Sequence, residues 1–315
     1  MNAPVNPVKR YPSCIMATCC AAWDEHGRLA EAIFRRSVRV ALRGTSHLYV
    51  FGTAGEGYAV SDRQCDGLVA AFADEMRRGG AEPMVGVISL SLDTILDRIR
   101  RARGAGVNRF QISLPSWGAL SEPEVFRFFD AVCGGFPDCQ FMHYNVPRAK
   151  RMLSGKEYGR LAAAHLNLVA TKNCGDSLSH IASLIDDAPA LQHFLSEEGY
   201  VYGSLLGECG ILASLVISWP KLRALFEAGK CHDLAALLQI HREIRIVLET
   251  LFNAVPDGRI DGTYDKLFAK MYDPEFPLRL LPPYFGASDD EYCEFVRRLG
   301  QRLPDWVPRP ASPEA

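Results

Sequence analysis

Short apolar runs recur along the chain at 14–20, 47–51, 83–88, 109–114, 140–144, 167–172, 191–195 and 210–215. Each spans five to seven residues and most are rich in β-branched or aromatic types, which predicts buried strands. Between them the pattern changes to helical spacing. Ser61-x-x-Gln64, Ser121-x-x-Glu124 and Ser154-x-x-Glu157 each fit a capping box, in which two side chains satisfy free N–H groups at a helix start. Gly44, Gly79, Gly104 and Gly134 follow the corresponding helices, where left-handed C-terminal caps are expected.

Successive runs begin 19 to 36 residues apart, the pace of repeated βα units. Eight such units predict an α/β fold of the (β/α)₈ TIM-barrel type rather than a doubly wound sheet. No G-x-G-x-x-G fingerprint stands in the first βα loop, which speaks further against a dinucleotide site. Beyond the eighth unit, 219–228 reads as a helix and 233–253 as a long amphipathic one. Helical patterns follow near 263–272 and 288–302. The expected division is a barrel with the active site over 1–230, a C-terminal helical appendage over 231–304 and a loose tail over 305–315.

Composition narrows the setting. The 315 residues are 48% hydrophobic and 23% charged, the balance of a folded globular protein rather than a disordered one. Thirty-five basic and 37 acidic side chains leave a net charge of −2, which argues against a nucleic-acid partner. Ten cysteines contain no C-x-x-C pair, and the Cys231–His232 neighbours have no second pair to complete a zinc site. With no run long enough to cross a bilayer and no apolar leader at 1–12, the expectation is a soluble cytoplasmic protein with no membrane contact.

In a (β/α)₈ barrel the chemistry sits at the carboxyl ends of the strands. Lys172 ends the run 166–172. A lysine at an apolar barrel mouth is partly desolvated, which lowers its pKa and frees the amine as a nucleophile; the alternative is a side chain that snorkels into solvent. Tyr144 ends strand five and can approach a strand-six lysine as a proton relay during carbinolamine formation and dehydration, or it can be a half-buried tyrosine bonded to a carbonyl. Gly52-Thr53-Ala54-Gly55-Glu56-Gly57 follows strand two, where glycines allow amides to cradle an anion, though such turns are common. The arginines at 35, 36, 39, 43, 98, 100, 101 and 103 read as solvated helix faces or subunit contacts, and His143 as core. His180 and His193 have no evident partner.

Together Gly52-Thr53-Ala54-Gly55-Glu56, Tyr144-Asn145-Val146-Pro147 and Ala170-Thr171-Lys172 resemble the dihydrodipicolinate synthase and N-acetylneuraminate lyase family, from about residue 14 to about 299. The resemblance implies a TIM barrel with a helical appendage, usually a homotetramer, that needs no metal or organic cofactor. It implies Lys172 as the lysine forming a Schiff base with pyruvate or a related 2-oxo acid, Tyr144 as the relay tyrosine and Thr53 as its hydroxyl partner. Gly52 and the amides of Thr53 and Ala54 would hold the 2-oxo acid carboxylate. Ser196-Glu197-Glu198 resembles the family's G-D-D segment, and Gly210-Ile211-Leu212 its G-x-I segment beside the pyruvate.

Three positions depart from the family pattern. Ala54 replaces a second hydroxyl. Trp117 stands where lysine-pathway synthases have a relay tyrosine that acts in a neighbouring subunit, and its indole N–H donates but does not shuttle protons. Ala149 stands where synthases bind the second substrate's carboxylate with arginine, leaving Arg148 or Arg151 as substitutes. Trp117 instead resembles the tryptophan lining the acceptor pocket of hydratase-aldolases. The expected activity is a class I aldolase or lyase acting on a 2-oxo acid and an aldehyde. The rival readings are a dihydrodipicolinate synthase with an altered relay, and a non-catalytic 2-oxo acid sensor.

Overall fold

The computed structural model describes residues 8–308 apart from 176, 215–217 and 257. Eight parallel strands close into one barrel in sequence order, each hydrogen-bonded to the next and the last to the first. They are β1 (Ile15–Cys19), β2 (Leu48–Val50), β3 (Met84–Gly86), β4 (Arg109–Ile112), β5 (Gln140–Asn145), β6 (Leu168–Asn173), β7 (Gln192–Leu195) and β8 (Gly210–Ala213). The helices following the strands are α1 (Glu31–Leu42), α2 (Asp62–Arg78), α3 (Leu92–Gly104), α4 (Glu122–Phe129), α5 (Gly155–Ala164), α6 (Leu178–Asp187), α7 (Glu197–Leu206) and α8 (Trp219–Lys230). Three more complete the chain: α9 (Leu234–Ala254), α10 (Asp261–Tyr272) and α11 (Asp289–Arg302). The eight expected strands and the appended helices are all present.

Alternation along the strands separates two apolar layers. Met16, Tyr49, Met84, Met142, Ala170, Phe194 and Leu212 fill the barrel interior together with Tyr11. The outward-facing residues join the helices in a second, larger core that also takes in Leu251, Val255, Leu267 and Phe268 of the appendage. All three expected capping boxes form, at Ser61, Ser121 and Ser154. The C-terminal caps differ from expectation. Left-handed backbone occurs at Gly80 and Gly106 instead, and Gly104 and Gly134 lie within helical turns. Gly44 is needed for space, since a Cβ there would lie 2.1 Å from the Trp219 ring.

The chain around 305 is packed. Pro304–Trp306 forms a short 3₁₀ turn, Trp306 is fully buried, and its indole N–H donates to Glu243 at 2.7 Å. An indole buried with a satisfied N–H holds this part of the expected tail in place; residues 309–315 lie outside the described ones. No helix of the described residues is long and apolar enough to cross a membrane.

Candidate active site

The carboxyl ends of β5 and β6 carry the central pair. A register shift at Phe141/Met142 brings Tyr144 directly opposite Lys172. The ammonium nitrogen of Lys172 lies 3.8 Å from the centre of the Tyr144 ring. On its other side stands Tyr49 of β2, with the ring centre at 4.7 Å and the phenol oxygen accepting a hydrogen bond from Nζ at 2.8 Å. Lys172 is 4% exposed. Desolvation outweighs its favourable neighbours and lowers its pKa to about 8, so the neutral amine is accessible near physiological pH. Snorkelling is excluded by this burial. Tyr49 was not singled out in the sequence because a tyrosine within a strand is an ordinary β-former. Its inward position, paired across β1 with Thr18, was the available signal.

Thr53 Oγ1 lies 3.1 Å from Tyr144 Oη, completing a Thr53–Tyr144 pair beside the lysine. Burial pushes both the Tyr144 and Tyr49 phenols well above the usual range, so both keep their protons. The loop carrying Thr53 is tightly determined. Phe51 and Glu56 both adopt left-handed backbone, at φ +65° and +58°, which costs about 1–3 kcal/mol per residue unless the surroundings impose it. The surroundings do so. A Cβ at Gly57 or Gly86 would approach the Phe51 carbonyl oxygen to 2.4 or 2.2 Å. Among the described residues, the amides of Thr53 and Ala54 have no acceptor, while the loop closes through Glu56 N to Thr53 O at 3.0 Å and Gly57 N to Gly52 O at 3.2 Å. Gly52 lies so close to the amine that a Cβ there would be 3.2 Å from Nζ.

Glu56 anchors this loop to α10. Its carboxylate accepts from Trp23 Nε1 at 2.9 Å and from the Leu281 amide at 2.6 Å, and pairs with Lys266 at 2.6 Å. Both charged side chains are fully buried. Arg98, read as a solvated helix residue, is instead 10% exposed and donates to the carbonyls of Gly57, Val60 and Ile88, bracing the loop from the other side. The helix-surface reading fails for this residue because its long side chain turns inward to satisfy loop carbonyls. Other arginines of these groups remain at the helix surface, where Arg103 pairs with Asp138.

Two cavities meet at this site. The inner chamber, about 520 Å³, is bordered by Lys172, Tyr49, Thr18, Ala54, Ser196 and Leu212, and by Asp265 of α10. The outer vestibule, about 1500 Å³, is bordered by Leu114, Ser116, Arg148, Tyr284 and Phe285. Thr53, Tyr144 and Arg259 border both. Arg259, not singled out in the sequence, is held there by Glu291 at 2.7 Å and by the Gly286 carbonyl.

The remaining sequence candidates fall in distinct places. Ser196 caps α7, accepting from the Gly199 amide at 2.9 Å. Glu197 accepts from the Ser214 amide at 2.6 Å, tying the end of β8 to α7. Arg148 reaches the vestibule but is engaged twice by Asp261, at 2.8 and 2.9 Å. Arg151 turns away to Glu157 and the Leu120 carbonyl. Trp117 is 82% exposed and borders neither cavity; its carbonyl accepts from Lys150 at 2.7 Å. His143 bonds Tyr158 in the core, and burial lowers its pKa to about 3, which keeps it neutral. His193 does have partners, Thr171 Oγ1 at 2.7 Å and the Ala188 carbonyl at 3.0 Å.

The profile of the dihydrodipicolinate synthetase family matches residues 11–263. The chain belongs to this family. Its relatives include a 4-hydroxy-tetrahydrodipicolinate synthase from Thermus thermophilus, 27% identical over 287 residues that cover 88% of this chain and 91% of the relative. The enzyme of the same name from Bacillus subtilis is 28% identical over 160 residues, half of this chain and 52% of that one. Among solved structures, YagE, a dihydrodipicolinic acid synthase family protein from E. coli K12 in complex with pyruvate, superposes with a TM-score of 0.82. It is 17% identical, over 93% of this chain and 99% of that one. CdNal from Clostridium difficile, in complex with mannosamine, gives a TM-score of 0.80 at 15% identity over 91% and 98%. As a member of the dihydrodipicolinate synthetase family, the chain has that family's aldolase-type barrel and is a lyase-type enzyme.

Proposed function

We propose that this family member is a class I aldolase or lyase that forms an imine between Lys172 and a 2-oxo acid, with pyruvate as donor or product. The observation that carries the reading is the buried amine of Lys172, held between two tyrosines with its pKa lowered to about 8. In this reading the carboxylate of the 2-oxo acid lies on the unengaged amides of Thr53 and Ala54. The neutral amine attacks C2, and the Tyr144–Thr53 pair carries the proton to the carbonyl oxygen. Loss of water gives the iminium, which acts as an electron sink. The adjacent carbon gives up a proton, and the enamine attacks an aldehyde brought through the vestibule; the reverse sequence cleaves an aldol.

The test is incubation with pyruvate and borohydride, followed by intact mass and peptide mapping. A reduced pyruvyl adduct on Lys172 is expected, and its absence with a panel of 2-oxo acids rejects the reading. Tyr144→Phe should slow adduct formation about 10²–10⁴-fold, the range for a positioned proton-transfer group. A second reading, a 4-hydroxy-tetrahydrodipicolinate synthase, draws support from the named relatives. The engagement of Arg148 by Asp261 and the presence at position 117 of an indole, which does not shuttle protons, weigh against it. A coupled assay with pyruvate and aspartate semialdehyde separates the two, because only a synthase turns over that pair.

A further inference from the structure

Helix α10 crosses the barrel mouth and brings Asp265 to the wall of the chamber that holds Lys172, Tyr49 and Thr18. Asp265 is 5% exposed. Its neighbour Asp261 also borders the chamber, but that carboxylate is taken up by Arg148. No described side chain donates a hydrogen bond to Asp265 and no described cation is ion-paired with it. The hydrogen bond acting on it comes from its own amide. Thr18 lies on the same wall, beside Tyr49.

A buried carboxylate in this position would receive no hydrogen bond from a described side chain, and the nearby charge of Lys172 does not offset its desolvation, so the neutral acid is the favoured form. Burial pushes its carboxyl well above the ordinary range; the charges of Asp261 and Glu197 add to the shift, while Lys172 opposes it. The phenols on either side of the amine are shifted away from acidity, and position 54 offers no hydroxyl. The chamber therefore contains one proton-bearing group that starts from an acidic value and has no described acceptor.

Resting on the imine reading above, we propose that Asp265 is a catalytic acid that dehydrates the carbinolamine and then serves as the counter-ion of the iminium. Once Nζ of Lys172 has added to C2, the C2–O bond breaks and Asp265 gives its proton to the departing hydroxyl, which leaves as water. The nitrogen lone pair closes the C=N bond. The positive charge appearing on nitrogen is matched by the negative charge left on Asp265, so the chamber gains an ion pair and no net charge. Release of product by hydrolysis runs the same proton in the opposite direction.

Rapid mixing with pyruvate and borohydride reads the iminium, because the carbinolamine is not reduced. The wild type should form the Lys172 adduct, and Asp265→Asn should form it about a hundredfold more slowly. Asp265→Ala should be similarly slow and should regain part of the rate with added formate, a small acid able to enter the vacated space. Melting temperatures of both variants identify any that fail to fold. An Asp265→Asn rate equal to wild type, or a slow and folded Asp265→Ala variant indifferent to formate, overturns the role. A wild type that forms no adduct overturns the imine reading itself, an outcome distinct from failure of the variants alone.

Discussion

At the scale of single residues, Lys172 makes its burial measurable. Below pH 8 its side chain is charged in both folded and unfolded chains, so folding bears the full cost of desolvation. Between about 8 and the unfolded value near 10.5 the folded amine is neutral while the unfolded one keeps its proton, so wild-type stability rises with pH. Lys172→Met removes this dependence. Relative to wild type, the variant should be more stable by up to about 3 kcal/mol below pH 8, with the advantage shrinking toward pH 10.5. Urea unfolding of both proteins across that range measures the difference, and a constant gap would contradict a depressed amine. Lys172, Tyr144 and Thr53 were legible in the sequence because each ends an apolar strand or begins its loop. Tyr49 and Asp265 were not. A tyrosine in mid-strand has no mark of function, and an aspartate in an amphipathic helix reads as solvent-facing until the helix is placed over a barrel.

At the scale of elements, punctuation carried most of the information. The eight strands and three capping boxes follow from local sequence, since strands are apolar runs and caps satisfy their own first turn. Tertiary contacts decided what local sequence could not. Gly44 answers to Trp219, from a helix remote in sequence, and Arg98 answers to carbonyls of the glycine-rich loop. That loop rests on the Glu56–Lys266 pair. Burial lowers the Lys266 pKa against the opposing pull of Glu56, so the lysine depends on its partner to stay charged. Glu56→Ala should destabilise the protein by about 3–5 kcal/mol, the loss typical when one member of a buried pair is removed. Chemical denaturation measures it. Loss below 1 kcal/mol would show that the charges are compensated elsewhere.

Over the whole molecule, the helices beyond the barrel share its outer core and close one side of the chamber. Leu251, Val255, Leu267 and Phe268, from beyond residue 230, lie in one buried cluster with the outer faces of the barrel strands. Heating should therefore give one calorimetric transition, with van't Hoff and calorimetric enthalpies in agreement. Two resolved transitions would mean that the parts melt independently. The buried pair between Glu56 and Lys266 also bears on how such proteins can be recombined. A chimera that joined this barrel to the terminal helices of another relative would inherit a lone carboxylate beneath its substrate loop, unless the graft supplied a cation at the same depth.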